Sequence, residues 1–339
     1  MRLKREDTMS NFTLARREFL TIVGTMLATS AFSRSLRAEG MAAEIKFGFP
    51  NASWGTIGMI GDANGLFKKA GANVKTFTFD SGKSTRDAMI SERVEIGVIG
   101  ATPFVIGAAK GQMEAIAIAL YGAKTLAVVG SVKAGIKSVK DLKGRRIGSQ
   151  FGSSTDFVLR NKILPKFGLK PDDVQIINAR LKDHPAALAA GSIDAFAGAE
   201  PFVSVAEVEK LGRVLVDYSD FDLAPVILAA NKSTVAHKRD AVVAFLRGWL
   251  ASVKAFHDAP DQAAKIVFKH FKDQGFSVNE VVVKRMLSKF DVRPTLTPAV
   301  QTYLESQSKS LLQQKKIAAL PDWNKLLNRD LLAAAGAKA

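Results

Sequence analysis

The ten residues Ala88–Gly97, AMISERVEIG, are echoed in the second half of the chain by Ala187–Phe196, ALAAGSIDAF. Each segment reads as the end of a helix, a turn, and then the apolar–acidic–apolar start of a strand. Each is followed by a Pro-Phe pair, Pro103-Phe104 and Pro201-Phe202, offset by one residue. Two lobes of similar topology would produce this echo, although two unrelated helix–strand units would produce it as well.

Short apolar strands alternate with helical segments on both sides of the echoed segments. The strands are predicted at 45–49, 73–79, 95–99, 115–121, 146–149, 173–177, 193–197, 214–217 and 226–230. Helices are predicted between them, for example over 56–70 and 154–167. This order predicts an α/β fold with an open, mostly parallel sheet. From residue 233 to residue 335 the pattern changes to helices only.

The N-terminal segment 1–43 has the features of an export signal. Arg16 and Arg17 are followed by Phe19-Leu20, and residues 21–32 carry no charge. That apolar run is shorter than the roughly 20 residues that a membrane-spanning helix needs. The segment resembles a twin-arginine signal peptide, and the alternative is a short basic amphipathic helix. The resemblance implies a periplasmic protein exported by the twin-arginine pathway.

Composition excludes several classes of protein. The chain has 339 residues, 48 Lys and Arg against 32 Asp and Glu, and no cysteine. The missing cysteine excludes disulfides, thiolate metal sites, cysteine nucleophiles and a lipid-anchored cysteine. Without residues 1–43 the formal charge of +16 falls by three to +13, so the rest of the chain is basic too. The basic residues are dispersed and no aromatic motif interleaves them, which argues against a nucleic-acid partner.

Motifs of catalysis are missing from the sequence. It contains no H-E-x-x-H, G-x-S-x-G or G-x-G-x-x-G pattern. The four histidines His184, His237, His257 and His270 lie far apart along the chain. We therefore predict no enzyme activity, no metal and no cofactor.

Four polar turns at strand-to-helix junctions, 51–55, 81–85, 100–103 and 151–155, supply the candidate ligand contacts. Turns at the carboxyl ends of strands are where open α/β sheets bind ligands, and helix starts present free N–H groups that favour anions. The alternative is that these residues only cap helices, that Lys83 is solvated, and that Trp54 anchors the core instead of forming a stacking wall. The candidate residues are Asn51, Ser53, Trp54, Ser81, Gly82, Lys83, Ala101, Thr102, Gly152, Ser153, Ser154 and Thr155.

Two runs of sequence carry a family resemblance. They are 138–148, SVKDLKGRRIG, and 186–195, AALAAGSIDA, the second of which leads to Glu200-Pro201. With the turns above, they resemble a periplasmic substrate-binding protein of an ABC importer, from the sulfonate/taurine/nitrate/thiamine-precursor binding family. The resemblance covers nearly all of the chain after the signal segment.

The resemblance implies a periplasmic-binding-protein type II-like fold. Two α/β lobes are then joined by two crossover strands, near 123–132 and 223–231, and a helical C-terminal part follows. Lobe 1 is expected to comprise 44–124 plus 225–339, and lobe 2 to comprise 125–224. Ligand is expected to bind between the lobes by hinge closure, and a membrane permease is expected to recognise the closed state. A monomer is expected.

The family also implies a class of ligand. The four turns and Glu200 are the expected contacts, although Glu200 could instead pair with a lysine as a hinge contact. Many relatives have tryptophan before the Glu-Pro pair, where this chain has Ala199. A small organic anion, sulfonate-like or taurine-like, is the favoured ligand, and nitrate or a pyrimidine, thiamine-precursor or aromatic ligand is the alternative. A thiamine-pyrimidine-synthase-like enzyme is a remote alternative, because such enzymes carry a cysteine-rich motif and this chain has no cysteine.

Overall fold

Ten strands of residues 43–336, the part of the chain that the computed structural model describes, form two five-stranded sheets. The predicted signal peptide and Arg16 and Arg17 lie outside the described residues. The strands are β1 (Ile45–Pro50), β2 (Val74–Phe79), β3 (Ile96–Gly100), β4 (Met113–Tyr121), β5 (Leu126–Ser131), β6 (Arg146–Ser149), β7 (Gln175–Asn178), β8 (Ala195–Ala199), β9 (Gly212–Asp217) and β10 (Pro225–Asn231).

Both sheets have the same mixed topology. The order is β2-β1-β3-β10-β4 in the first sheet and β7-β6-β8-β5-β9 in the second. Four strands of each sheet run in the same direction, whereas the fifth, β10 or β5, runs antiparallel to both of its neighbours. The chain enters each of these two strands from the other half of the molecule. Each therefore runs in the opposite direction to the other strands of its sheet. The prediction of two α/β lobes joined by crossover strands is confirmed, and the open, mostly parallel sheet is found as two sheets that each contain one antiparallel strand.

The echoed segments occupy equivalent places in the two sheets. Each ends in the central strand, β3 or β8, just after an acidic residue. The amide of Lys46 donates to Glu95 Oε2 at 3.0 Å, and the amide of Arg146 donates to Asp194 Oδ2 at 2.9 Å. The acidic residue therefore ties the central strand to its neighbour in both lobes. The Arg146 guanidinium, which also donates to Asp194, lowers the pKa of that carboxyl below its usual value.

Fifteen α-helical segments cover the sheets within the described residues. They are α1 (Thr56–Ala63), α2 (Leu66–Lys69), α3 (Gly82–Ile90), α4 (Ala101–Ala108), α5 (Ser154–Val158), α6 (Leu164–Lys166), α7 (His184–Ala189), α8 (Phe202–Val208), α9 (Lys232–His237), α10 (Arg239–Asp258), α11 (Pro260–Asp273), α12 (Glu280–Leu287), α13 (Pro298–Gln313), α14 (Trp323–Leu326) and α15 (Arg329–Ala334). No helix among these is both long enough and apolar enough to span a membrane.

Two predicted helices are interrupted. The helix expected over 56–70 breaks into α1 and α2 at Gly65, whose φ of +61° lies in the left-handed region that glycine adopts without strain. The helix expected over 154–167 continues from α5 to α6 through one π-helical turn at Leu159–Ile163. Both interruptions leave the order of elements along the chain as expected.

An aromatic cluster joins the C-terminal helices to the first sheet. Phe245 and Trp249 of α10 pack on Phe47 of β1 and on Phe67 of α2, and the Phe67 and Phe245 rings stack at 4.9 Å. Trp249 is fully buried. Burial of each such side chain stabilises the fold by about 2–3 kcal/mol. The C-terminal helices are thus part of the core of the first lobe, by which we mean the first sheet with the helices on it; the second lobe is the second sheet with its helices.

The chain passes between the lobes in two short segments, 122–125 and 218–224. Asp222 fixes the second segment, because its carboxylate accepts hydrogen bonds from the Ala224 amide at 2.6 Å and from the Tyr303 hydroxyl at 2.8 Å. Ala224 follows in the left-handed region, at a φ of +43°. These contacts hold the segment to α13 of the first lobe.

Candidate ligand-binding site

Loops at the carboxyl ends of strands in both sheets meet around a small cavity. Its volume is about 20 Å³, which is close to the roughly 10–15 Å³ that one water molecule needs on the same measure. The lobes therefore touch across the cleft, and the cavity between them is about the size of one water molecule. The lining residues are Pro50, Ala52, Ser53, Trp54, Ser81, Gly82, Lys83, Pro103, Leu126, Gln150, Ser153, Ser154, Thr155, Leu181 and Ala199.

Eight of the residues predicted from the turns line this cavity. They come from three of the four turns and from both lobes: Ser53, Trp54, Ser81, Gly82, Lys83, Ser153, Ser154 and Thr155. Two of them also begin helices. Ser81 Oγ accepts from the Ser84 amide at the start of α3, and Ser153 Oγ accepts from the Asp156 amide at the start of α5. Helix capping and a place in the cavity are therefore combined in the same residues.

Four predicted residues of the same turns do not line the cavity. Asn51 forms two hydrogen bonds near the end of α11. Its Oδ1 lies 3.0 Å from His270 Nε2, and its Nδ2 donates to Gln274 Oε1 at 3.2 Å. Ala101 is buried within the first lobe. Thr102 and Gly152 face a separate lateral groove of about 380 Å³ between α5 and α13.

Glu200 is buried away from the cavity. Its carboxylate accepts hydrogen bonds from the Ser204 hydroxyl at 2.8 Å and from the Ser204 amide at 3.1 Å, and it forms an ion pair with Lys289. Its own amide donates to Thr125 O at 2.9 Å, in the first connecting segment. Of the two roles expected for Glu200, the structure shows the pairing with a lysine at the hinge, and Glu200 is not among the residues that line the cavity.

Trp54 is both a wall of the cavity and an anchor. Its indole Nε1 donates to Thr125 Oγ1 at 3.0 Å, and its ring covers two glycines. A Cβ atom at Gly100 would lie 2.8 Å from the ring, and one at Gly122 would lie 2.8 Å from Nε1. These glycines permit the close approach that holds the ring in place.

The sequence prediction missed seven lining residues. Six are apolar: Pro50, Ala52, Pro103, Leu126, Leu181 and Ala199. The seventh is Gln150, whose Nε2 donates to Ser81 Oγ of the opposite lobe at 3.1 Å. Gln150 comes directly before the predicted turn at 151–155, and Ala199 was identified only as a departure from the family. Ala52 and Pro103 belong to two of the predicted turns but were not among the candidate contacts. Pro50, Leu126 and Leu181 carry no local signal that would have marked them.

Several contacts hold the lobes together across the cleft, among them a hydrogen bond from the Ser53 amide to Glu200 O at 3.1 Å. Besides the Gln150–Ser81 hydrogen bond, the Thr102 amide donates to Ser154 Oγ at 3.2 Å. At the edge of the cavity Lys182 Nζ pairs with Asp80 Oδ1 at 3.0 Å. Because each contact joins the two lobes, each depends on how far the cleft is closed.

The lining favours a negatively charged ligand. Five of its residues carry hydroxyl groups, and Lys83 is its one charged residue, with no carboxylate among the described residues that form it. The first amides of α3, those of Gly82 and Lys83, have no acceptor within the helix and lie at the positive end of its dipole. The remaining walls are apolar. The cavity thus suits an anionic group attached to an apolar body. No cluster of three potential metal ligands occurs in residues 43–336.

The two lobes, their crossover strands and the cavity between them define the class of two-lobed solute-binding proteins. The chain belongs to the family described as NMT1/THI5 like, whose model matches residues 56–263. A Bacillus subtilis (strain 168) protein named for binding aliphatic sulfonates is 29% identical over 220 residues, which are 64% of this chain and 66% of the relative. The taurine-binding periplasmic protein of Escherichia coli (strain K12) is 35% identical over 155 residues, 45% of this chain and 47% of that protein.

A solved structure confirms the fold. The alkanesulfonate-binding protein SsuA from Xanthomonas axonopodis pv. citri, bound to MOPS, matches with a TM-score of 0.75 at 19% identity and covers 86% of this chain and 99% of that chain. The predicted resemblance to ABC-importer binding proteins is therefore confirmed. These relatives are binding proteins, which also confirms the prediction that the chain is not an enzyme.

Proposed function

We propose that the protein is the solute-binding component of an ABC-type importer. It captures a small organic anion, sulfonate-like, in the cavity between the lobes and delivers it to a membrane permease. The observation that carries this proposal is the lining itself, in which hydroxyl groups and Lys83 from both lobes surround a space free of lining carboxylates. The names of the sulfonate- and taurine-binding relatives support the same class of ligand.

Binding works by shifting the position of the lobes. A ligand that contacts Ser81 and Lys83 of the first lobe and Ser153 to Thr155 of the second lobe gains more contacts when the cleft is closed. The equilibrium moves towards closure by as much as the ligand prefers the closed form. The permease then distinguishes loaded from empty protein by shape, and no covalent bond changes.

The apolar walls favour an organic anion over the alternatives. Nitrate has no apolar body to contact Leu126, Leu181 and Ala199, which line the cavity. A neutral pyrimidine or other aromatic ligand leaves the ammonium group of Lys83 without a counter-charge. Nitrate and pyrimidines are both included as ligands in the experiment below.

Thermal unfolding of residues 44–339 with a panel of ligands tests the proposal. The panel holds alkanesulfonates, taurine, nitrate, carboxylates and pyrimidines. A sulfonate at 100 times its Kd stabilises the protein by about 2.7 kcal/mol, which is measured as a rise in Tm. If no sulfonate raises Tm, the proposed ligand class is wrong.

Two lysine variants test the role of the Lys83 charge in the same assay. Lys83→Gln is expected to weaken sulfonate binding about tenfold, because a charge-assisted contact is lost. Lys110→Gln removes the same charge from an exposed position after α4, outside the cavity. Equal affinities of the two variants would remove Lys83 from the site.

The proposal also includes the route and the form of the protein. It is exported to the periplasm by the twin-arginine pathway as a monomer, with lobes of 44–124 plus 225–339 and of 125–224. The positions of β5 and β10, the crossover strands, support these lobe boundaries. Replacement of Arg16 and Arg17 by lysine is expected to leave the protein in the cytoplasm, as measured by cell fractionation. Undiminished export of this variant would contradict the twin-arginine assignment.

A further inference from the structure

We infer that the cavity selects sulfonates whose organic part is uncharged and rejects zwitterionic aminosulfonates such as taurine. The inference rests on the proposed function and narrows its ligand. It runs against the name of the taurine-binding relative, which is 35% identical over 155 residues. The reason lies in the carboxylates next to the cavity.

Three carboxylates are adjacent in sequence to lining residues, and each is engaged elsewhere. Asp80 precedes Ser81 and pairs with Lys182 at 3.0 Å. Asp156 follows Thr155 and accepts from Arg160 Nε at 2.8 Å. These two carboxylates are therefore neutralised at the edge of the cavity, and neither is among its lining residues.

The third carboxylate belongs to Glu200, next to the lining residue Ala199. It is fully buried and paired with Lys289, with two further hydrogen bonds from Ser204. Turning it towards the cavity would leave the Lys289 ammonium unpaired. Hence, with the cleft closed, none of the three adjacent carboxylates is free to meet a ligand ammonium.

A ligand ammonium would find poor partners in the cavity. It brings three N–H donors and a positive charge into a space whose own charged group is Lys83. Two acceptors in the lining, Gln150 Oε1 and Ser53 Oγ, are buried and have no hydrogen-bond partner among the described residues. Both are neutral oxygens, which accept hydrogen bonds without balancing the charge.

An uncharged body meets complementary walls instead. Leu126, Leu181 and Ala199 present apolar surface on the side of the second lobe, and Trp54 adds its ring from the first lobe. A methyl group in the place of the ammonium is transferred from water to this surface, which is favourable. Sulfonate recognition by Lys83 and the hydroxyl groups is the same for both ligands.

Propanesulfonate and taurine make the sharpest comparison, because a methyl group replaces the ammonium at nearly equal size. Isothermal titration of residues 44–339 is expected to give a Kd for taurine about 100-fold higher than that for propanesulfonate. Equal or tighter binding of taurine would overturn the inference and leave the proposed function standing. Binding of neither sulfonate would contradict the proposed function itself.

The isosteric variant Gln150→Glu adds the missing carboxylate. The ratio of the two Kd values is expected to move at least about tenfold towards taurine in this variant. Gln314→Glu carries the same change of charge in the lateral groove, outside the cavity, and is expected to keep the ratio of the unchanged protein. A ratio that stays the same in Gln150→Glu would show that the lack of a carboxylate is not the cause of selection.

Discussion

Replacement of Lys289 by methionine is expected to lower the free energy of unfolding by about 3–5 kcal/mol. Lys289 is the cationic partner of Glu200, which is fully buried beside the first connecting segment. Without the ammonium, the carboxylate keeps only its hydrogen bonds from Ser204. A buried charge without a partner is costly, whereas removal of both charges costs far less.

Denaturant unfolding followed by circular dichroism measures this loss. Arg285→Met is the matched control, because Arg285 pairs with Glu207 at 2.7 Å in the same region but is about half exposed. An exposed pair of this kind contributes about 0–1 kcal/mol. The double variant Lys289→Met with Glu200→Gln is expected to recover most of the loss. If Lys289→Met is no less stable than Arg285→Met, the buried pair does not hold the hinge.

The protein is expected to lose about 3 kcal/mol of stability as the pH falls from 6.5 to 4, because of one histidine. His184 begins α7 and is fully buried against Phe196, with ring centroids 5.0 Å apart. Burial lowers the pKa of His184 from 6.5 to about 4, against the opposing effects of the Ala179 backbone and Asp183. A tenfold change in proton affinity between the folded and unfolded states is worth about 1.4 kcal/mol.

The direction follows from where the proton binds. Between pH 6.5 and pH 4 the unfolded chain takes up a proton at this residue and the folded protein does not, so acid favours unfolding. Above about pH 6.5 neither state is protonated, and the full contribution is present. Burial also lowers the pKa of His270, which adds a contribution of the same sign.

Unfolding by denaturant at a series of pH values separates this residue from the rest. The variant His184→Gln is expected to be less stable at pH 7 but to show a flatter dependence between pH 6.5 and pH 4. His237→Gln, at an exposed histidine, is expected to keep the slope of the unchanged protein. An equally steep slope in His184→Gln would show that its protonation does not contribute.

Half of the site followed from the sequence, because turns at strand ends have local signals. What turns do not reveal is the direction of each side chain. In α4 the structure turns Pro103 towards the cavity and Thr102 towards the lateral groove. Neighbouring helical residues point about 100° apart, since a turn has 3.6 residues. The turns therefore locate the cavity between the lobes but do not tell which of their residues line it.

Leu126 and Leu181 illustrate a second limit. Each is an ordinary apolar residue in its own segment, and it reaches the cavity only because the lobes come together there. The mixed order of the sheets has a similar origin. Periodicity predicts β10 at 226–230 but does not predict β5, and it carries no information about which sheet receives either strand. Only the family resemblance predicted that they cross between the lobes.

The two connecting segments limit how the lobes move. Each is short, and each is held by a hydrogen bond. The Glu200 amide donates to Thr125 O in the first segment, and the Tyr303 hydroxyl donates to Asp222 Oδ1 in the second. Two fixed points define a single axis of rotation, whereas one flexible linker would allow rotation about several axes. The lobes then have one angle to vary and no sideways freedom. Any change in the width of the cleft is then expected to be a rotation about that one axis.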